Sequence, residues 1–328
     1  MIELIPHGTH FDFISKWRWA VLGSLAVIVL GIAAIPVLGL RWGIDFAGGT
    51  EVQVHFDDAV EANVALVRSA VRDLDLGEPE VVRSELGGQD QFLIRFLGAR
   101  EQAEGETQNQ AADRIKAALT ETVGAVTMDR VEFVGPKVGA ELRSAGTKAM
   151  GIAWLMILAY IGFRFSVRFA PGAVVALIHD VVVTSAIWIL MGQAFDLQVL
   201  AGLLAIVGYS INDTIIIYDR IRETMSVHTS HDLEDVINRS VNATLSRTVL
   251  TGGLTLLSVL ALLVAGGPAI FPFSATMAIG IVVGTYSSVY IAAPIMLILE
   301  RRFGEPAAAA GKGAVKKSGG KRPKTARA

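Results

Sequence analysis

Uncharged apolar stretches recur along this chain between short basic segments, and six are long enough for the roughly 20 residues that a bilayer crossing needs. Residues 19–40 lie uncharged between Arg18 and Arg41 and form the first. The second covers about 144–163, with Lys148 where its ammonium can snorkel to an interface. The third, about 169–192, is interrupted by His179 and Asp180, and the fourth, 197–218, carries Asp213 as its only charge. Between Arg247 and Glu300 run 52 residues without a charge. The glycines and prolines of Ala265–Pro272 break that run into two spans.

A different periodicity fills 41–142. Val52, Val54 and Phe56 alternate as in a strand, and apolar residues from Val60 to Leu74 fall at helical spacing. Strands are predicted at 80–84 and 91–97, joined at Gly87-Gly88 as in a hairpin. A helix at about 108–122 and a strand at 126–134 complete a βαββαβ order, which predicts a ferredoxin-like sandwich between spans 1 and 2. The polar stretch Gly98–Gln110 is expected to be a loop. In the segment 219–247, Leu233, Val236, Ile237, Val241 and Leu245 share a face behind a Thr229–Asp232 capping pattern. That predicts an amphipathic helix lying along the inner membrane surface or packing on a partner subunit.

Composition agrees with a polytopic membrane protein. Hydrophobic residues make up 52% of the 328 and charged residues 18%, with a mean hydropathy of +0.50. The absence of cysteine excludes disulfides, thiolate metal sites and thiol nucleophiles. The first apolar run is long and lacks a small-residue cleavage site, so it is expected to be retained as a span.

Charge distribution orients the spans. The N-terminal segment 1–18 and the segments 164–168, 219–247 and 301–328 hold 2, 2, 4 and 9 basic residues, whereas 193–196 and 265–272 hold none. Both termini are therefore expected in the cytoplasm, and 41–142 outside. That outer segment is acidic, with 19 acidic and 10 basic residues. The tail 301–328 is rich in Ala, Gly, Lys and Arg and is expected to be a disordered, solvated basic segment, with anionic lipid or ribosomal RNA as a sharper alternative. The Asn238 and Asn242 sequons fall on the inner side and are discounted.

The residue with the most chemical content is Asp213. An isolated carboxylate at the centre of a span costs about 2.5–3.5 kcal/mol on insertion scales, so it faces a partner or a wet pathway. Tyr209 and Ser210 lie one turn before it, and Asn212 and Thr214 flank it, which makes a polar patch able to help hydrate the carboxylate. Arg247 opens the fifth span from the same membrane side and is a candidate ion-pair partner. Thr248, Thr251, Thr255 and Ser258 form a polar stripe, and Thr276, Gly280, Gly284 and Ser288 a small-residue stripe; close packing is the default explanation of both. His179-Asp180 is read as a structural hydrogen bond before a second proton site. No phosphate-binding glycine motif or His-Glu-x-x-His metal helix is present, so no nucleotide hydrolysis, cofactor or metal is expected. Work done by this chain would draw on the membrane gradient, with protons as the coupling ion.

These residues resemble a known family. Gly43-Ile44-Asp45-Phe46-Ala47-Gly48-Gly49-Thr50 is similar to the signature that follows the first span of the SecD/SecF proteins. Leu177–Val181, Val207–Thr214, Ile217–Glu223 and Leu245–Thr248 continue the resemblance in order, over roughly residues 10–300. Ser-Ile-Asn-Asp-Thr is the form of the SecF branch. The resemblance implies an RND-type half bundle in the bacterial inner membrane, paired with SecD and joined to the SecYEG channel. Other Sec accessory proteins such as YajC, unfolded preprotein on the periplasmic side and membrane lipid are further implied contacts, with no specific nucleic acid. It implies use of the proton motive force to assist late, ATP-independent stages of preprotein translocation, with Asp213 and Arg247 as proton-path residues. Two other readings stay open: half of an RND-type lipid or drug transporter, and a non-conducting scaffold that stabilises the export channel.

Overall fold

The computed structural model describes residues 10–57, 62–74, 76, 78–84, 91–97, 108–164, 169–227 and 232–303. The loop expected at 98–110, the Gly87-Gly88 turn, Thr229 and the basic tail beyond 303 lie mostly or wholly outside them.

Helix α1 (Trp17–Leu38) is the first span, and Gly39, at φ +73°, ends it by donating its amide to Ile35 at 2.9 Å. A short strap follows. Its Trp42 bridges to Phe195, Gly43 donates to the Phe195 carbonyl at 2.7 Å, and Phe195 donates back to Arg41 at 2.9 Å. The single turn α2 (Ile44–Ala47) buries Ile44 and Phe46. Gly49 then enters the sheet so close to its neighbour that a Cβ would sit 2.2 Å from the Phe96 carbonyl, at a φ of +148° that disfavours side chains. That contact is the physical need for the second glycine of the Gly48-Gly49 pair.

The sheet domain comprises β1 (Gly49–Phe56), α3 (Val64–Arg72), β2 (Glu78–Ser84), β3 (Gln91–Leu97), α4 (Gln108–Thr122) and β4 (Val126–Val134). Its four strands are all antiparallel in the order β2-β3-β1-β4, with an irregularity at Gln53/Val54 between β1 and β4. Val52, Val54 and Phe56 point together into a core with Val67, Val71, Phe92, Ile94, Phe96, Ile115 and Leu119. Alternation and helical spacing therefore placed these elements well. Helix α3 starts later than the spacing from Val60 suggests, because the Asn63 side chain accepts the Leu66 amide at 2.8 Å and caps the helix there.

Among the described residues, six helices are long and apolar enough to cross a membrane. After α1 these are α5 (Pro136–Arg164), α6 (Ala170–Leu190), α7 (Leu197–Val227), α8 (Leu233–Ala265), and α9 (Gly267–Ser287), which continues through a π-turn (Ser288–Ala292) into α10 (Ala293–Phe303). The separate surface helix expected over 219–247 is replaced by continuous helix: α7 carries on to Val227 and α8 begins at Leu233. Asp232 caps α8 as the pattern suggested. The apolar face of 233–245 turns into the bundle, where Val236, Ile237 and Val241 are buried. Asn238 and Asn242 on α8 hold the segment before α1: Asn238 accepts amides of Phe13 and Ile14, and Asn242 accepts from Phe11 and donates to its carbonyl.

Helices α7 and α9 pack through small residues spaced by four. A Cβ on Gly202 would meet Thr276 at 3.0 Å, one on Gly280 would meet Ile206 at 2.0 Å, and one on Gly284 would meet Ser210 at 3.0 Å. The stripe expected from Thr276 to Ser288 is this interface. Gly280→Val is expected to force the two helices apart at a cost of about 1–3 kcal/mol. A clear drop in the thermal inactivation temperature of the purified chain in detergent checks it, and an unchanged temperature counts against the packing described.

Candidate functional site

The first turn of α7 is fixed from outside the helix. Asp196, its N-cap, accepts the Val199 amide at 2.8 Å, and Asp45 of the strap accepts the Leu197 amide at 2.9 Å. Two carboxylates thus satisfy amides that a helix start leaves open, at the positive end of its dipole. Space at this junction is tight, since a Cβ on Gly43 would lie 2.9 Å from that of Asp196. Arg95 on β3 pairs with Glu51 on β1 at 2.5 Å, and both act electrostatically on Asp196. The strap and the sheet therefore meet the membrane bundle at the N-terminus of the helix that carries Asp213.

Asp213 lies deep in α7 with 1% of its surface exposed, and among the described residues its Oδ2 has no hydrogen-bond partner. Arg247 on α8 is the charge whose field reaches it. Arg247 is itself exposed, and among the described residues no ion pair joins the two. Thr248, next to Arg247, turns inward and is buried with its hydroxyl unpartnered. The Tyr209 hydroxyl is also unpartnered and projects between α8 and α9, where a Cβ on Gly252 would meet it at 3.0 Å. Asp213, Tyr209 and Thr248 thus hold unused hydrogen-bonding capacity within a greasy bundle.

The polar patch expected around Asp213 divides in the structure. Thr214 is buried, whereas Asn212 points out of the bundle and is exposed. Ser210 turns away to donate to Asp180 Oδ2 on α6. Of the threonine stripe, Thr251, Thr255 and Ser258 donate to carbonyls of their own helix at 2.9, 2.9 and 3.0 Å. Thr251 and Ser258 are exposed, whereas Thr255 is half-buried beside Tyr209.

A second polar centre lies around Asp180, which is fully buried. His179 Nδ1 stands 3.0 Å from Asp180 Oδ1, and Ser287 adjoins the same carboxylate. The Tyr286 ring stacks on His179 with centroids 6.1 Å apart; its hydroxyl donates to the Ala20 carbonyl at 2.5 Å and accepts from Ser24 at 3.1 Å. Tyr286, Ser287 and Ser24 were not found from the sequence because they come from helices remote in the chain from Asp180.

Comparison with known proteins bears on the same residues. The C-terminal model of the SecD/SecF protein export membrane proteins matches residues 114–302, and the SecD/SecF GG-motif model matches 33–60. A protein translocase subunit SecF from Magnetococcus marinus is 44% identical over 301 residues, covering 91% of this chain and 95% of that one. The chain belongs to the SecD/SecF family. A SecF from Rhodobacter capsulatus is 39% identical over 91% of each chain. The crystal structure of SecDF from Thermus thermophilus, titled a translocon-associated membrane protein, matches with a TM-score of 0.78 and 30% identity. That match covers 90% of this chain but 39% of the SecDF chain, so this SecD/SecF-family protein spans well under half of that larger one. The GG-motif match contains Asp45 and Gly49, whose contacts join the strap to α7 and the sheet. With its six long apolar helices, the chain is a multi-pass membrane protein.

Burial pushes the Asp196 carboxyl up to about 6 from its ordinary 3.8, against the opposing pull of the Val199 amide and Arg95. The folded chain then keeps a proton there that the unfolded chain has released. Stability contributed by this group is full below the lower value and is lost as pH rises through about 6. Asp196→Asn, which keeps a capping oxygen, is expected to flatten that part of the pH–stability profile. Thermal unfolding across about pH 4 to 7 measures it. An unaltered slope contradicts the assignment.

Proposed function

We propose that this chain is the SecF-type subunit of a bacterial protein translocase and couples proton flow to late, ATP-independent preprotein export. The observation that carries the reading is Asp213: a carboxyl buried in a span with an unpartnered oxygen and the Arg247 charge within reach. Such a group gains or loses a proton at the cost of little more than its own rearrangement, and one charge crossing the full field is worth about 2.3 kcal/mol per 100 mV. Gain of a proton on Asp213 removes the attraction to Arg247 and lets α8 move relative to α7.

SecD is the proposed partner, because the site is open on one side. Asn212 and Arg247, which flank the carboxyl on two helices, are exposed polar groups at span depth. Polar residues at that depth face protein rather than lipid, so helices of a second subunit would cover them. The solved SecDF chains, far longer than this one, fit such an arrangement. The SecYEG channel, accessory Sec proteins and unfolded preprotein follow as partners from the translocase reading. The distribution of basic residues supports cytoplasmic termini and an external, acidic sheet domain, and the β2-β3-β1-β4 order with two helices supports a ferredoxin-like type; location in the inner membrane follows from the translocase reading.

Inverted membrane vesicles carrying this chain, or Asp213→Asn at matched abundance, test the coupling. Preprotein import into the lumen is followed with and without a proton gradient. Loss of the gradient-dependent component alone, at least about tenfold or 1.4 kcal/mol, is the expected result. Equal behaviour of the two sets of vesicles overturns the coupling role and leaves a scaffold.

A further inference from the structure

The buried dyad His179–Asp180 has an acceptor that nothing uses. Asp180 has 0% exposure and the His179 side chain 9%, yet His179 Nε2 has no hydrogen-bond partner among the described residues. Every other polar atom of the dyad is engaged: Nδ1 with Asp180 Oδ1 at 3.0 Å, and Asp180 Oδ2 with the Ser210 hydroxyl. A dyad serving only to join helices would have its unused ring nitrogen at the surface or bonded. The groups facing it from each packed element are uncharged: Ser24 on α1, Thr184 on α6, Ser210 on α7, and Tyr286 and Ser287 on α9. Thr184, one turn beyond Asp180, likewise has an unpartnered buried hydroxyl. Below Tyr286 the helix passes into the π-turn, a rare geometry that recurs at functional sites.

We infer that His179–Asp180 is a second proton-binding centre, linked to Asp213 through Ser210 and helix α7. The inference rests on the proton-coupled reading given above. An ionised Asp180 can only accept, so His179 Nδ1–H donates to it and Nε2 presents a lone pair. One proton delivered by water adds to Nε2, forming an N–H bond. The imidazolium keeps its Nδ1–H bond to Asp180, and the dyad passes from one net negative charge to none. Release returns the proton to water and restores the lone pair. No other bond forms or breaks.

Ser210 makes this centre sensitive to Asp213, since it holds Asp180 and lies one helical turn before Asp213. The Ser210 hydrogen bond and the one turn of α7 between Ser210 and Asp213 tie the two sites, so a proton taken at one alters the setting of the other. Occupancy of the two sites is thereby linked, and the pair behaves as a relay running from the centre of the bundle toward the α7–α8 face.

The test uses the full chain with 15N-labelled imidazole in lipid bilayers, the His179 resonance being identified by its loss in His179→Gln. As pH falls from about 8 to 5, the signal is expected to change from a neutral ring with a bare Nε2 to an imidazolium, and Asp213→Asn is expected to move the midpoint by about one unit. In inverted vesicles, His179→Gln at matched abundance is expected to lose the gradient-dependent part of import at least severalfold. A ring that stays neutral with Nε2 protonated at every pH overturns the inference and leaves a structural hydrogen bond. Titration that is accompanied by undiminished gradient-dependent import in His179→Gln overturns it as well. Failure of the Asp213 reading shows separately, as import that ignores Asp213→Asn while the His179 resonance still titrates.

Discussion

Two carboxylates from different segments share the first turn of α7, and the rest of the molecule is arranged around that junction. Asp196 caps the helix locally, and Asp45 does so from the strap that leads from α1 into the sheet. Paired backbone bonds between Arg41, Gly43 and Phe195 reinforce the contact, and a glycine is required where strap and helix start nearly touch. Strand β1 leaves the strap directly, so few flexible bonds separate the start of α7 from the sheet. Charge–dipole complementarity at a helix start is worth about 0.3–2 kcal/mol in favourable geometries. It is therefore strong enough to hold the contact and weak enough to be reset.

The same helix carries Asp213 and Ser210, the groups on which the proposed proton response rests. Its inner side is packed on α9 at van der Waals distance through glycines and small hydroxylated residues, which leaves no soft layer to absorb movement. Asp213 and Ser210 lie one turn apart on it, the first open to the Arg247 side and the second bonded to Asp180. Tyr218, two turns further on, donates to the Ala292 carbonyl in the π-turn at 2.9 Å while blocking any side chain at Gly172. Between them the two carboxyls thus face groups on α6, α7, α8 and α9.

Much of this was legible in the sequence. Uncharged runs located the spans because lipid tolerates few charges, and alternation located the strands because one face of the sheet is buried. Helix ends were less legible: hydropathy stops where lipid stops, whereas α7 and α8 continue as helix through residues 219–227 and 233–246. Asp213 stood out as a lone charge. Its neighbours did not sort correctly, because Ser210 and Asn212 differ by two residues and so point to opposite sides of one helix. The role of Asn238 and Asn242 as clamps on the N-terminal segment was hidden behind an Asn-x-Ser/Thr pattern. The partners of Asp180 come from α1, α7 and α9, and only the fold brings them together.

The central claim is that the proton state of Asp213 moves the external sheet domain through α7. Because the chain has no cysteine, two can be introduced cleanly, Glu121→Cys on α4 and Met191→Cys at the end of α6, and spin-labelled. The distance distribution between them, measured in proteoliposomes that also contain SecD, reports on domain against bundle. Imposing a proton gradient is predicted to shift that distribution in the parent chain and to leave it unmoved in Asp213→Asn. A gradient-driven shift that persists in Asp213→Asn, or no shift in the parent, would contradict the account.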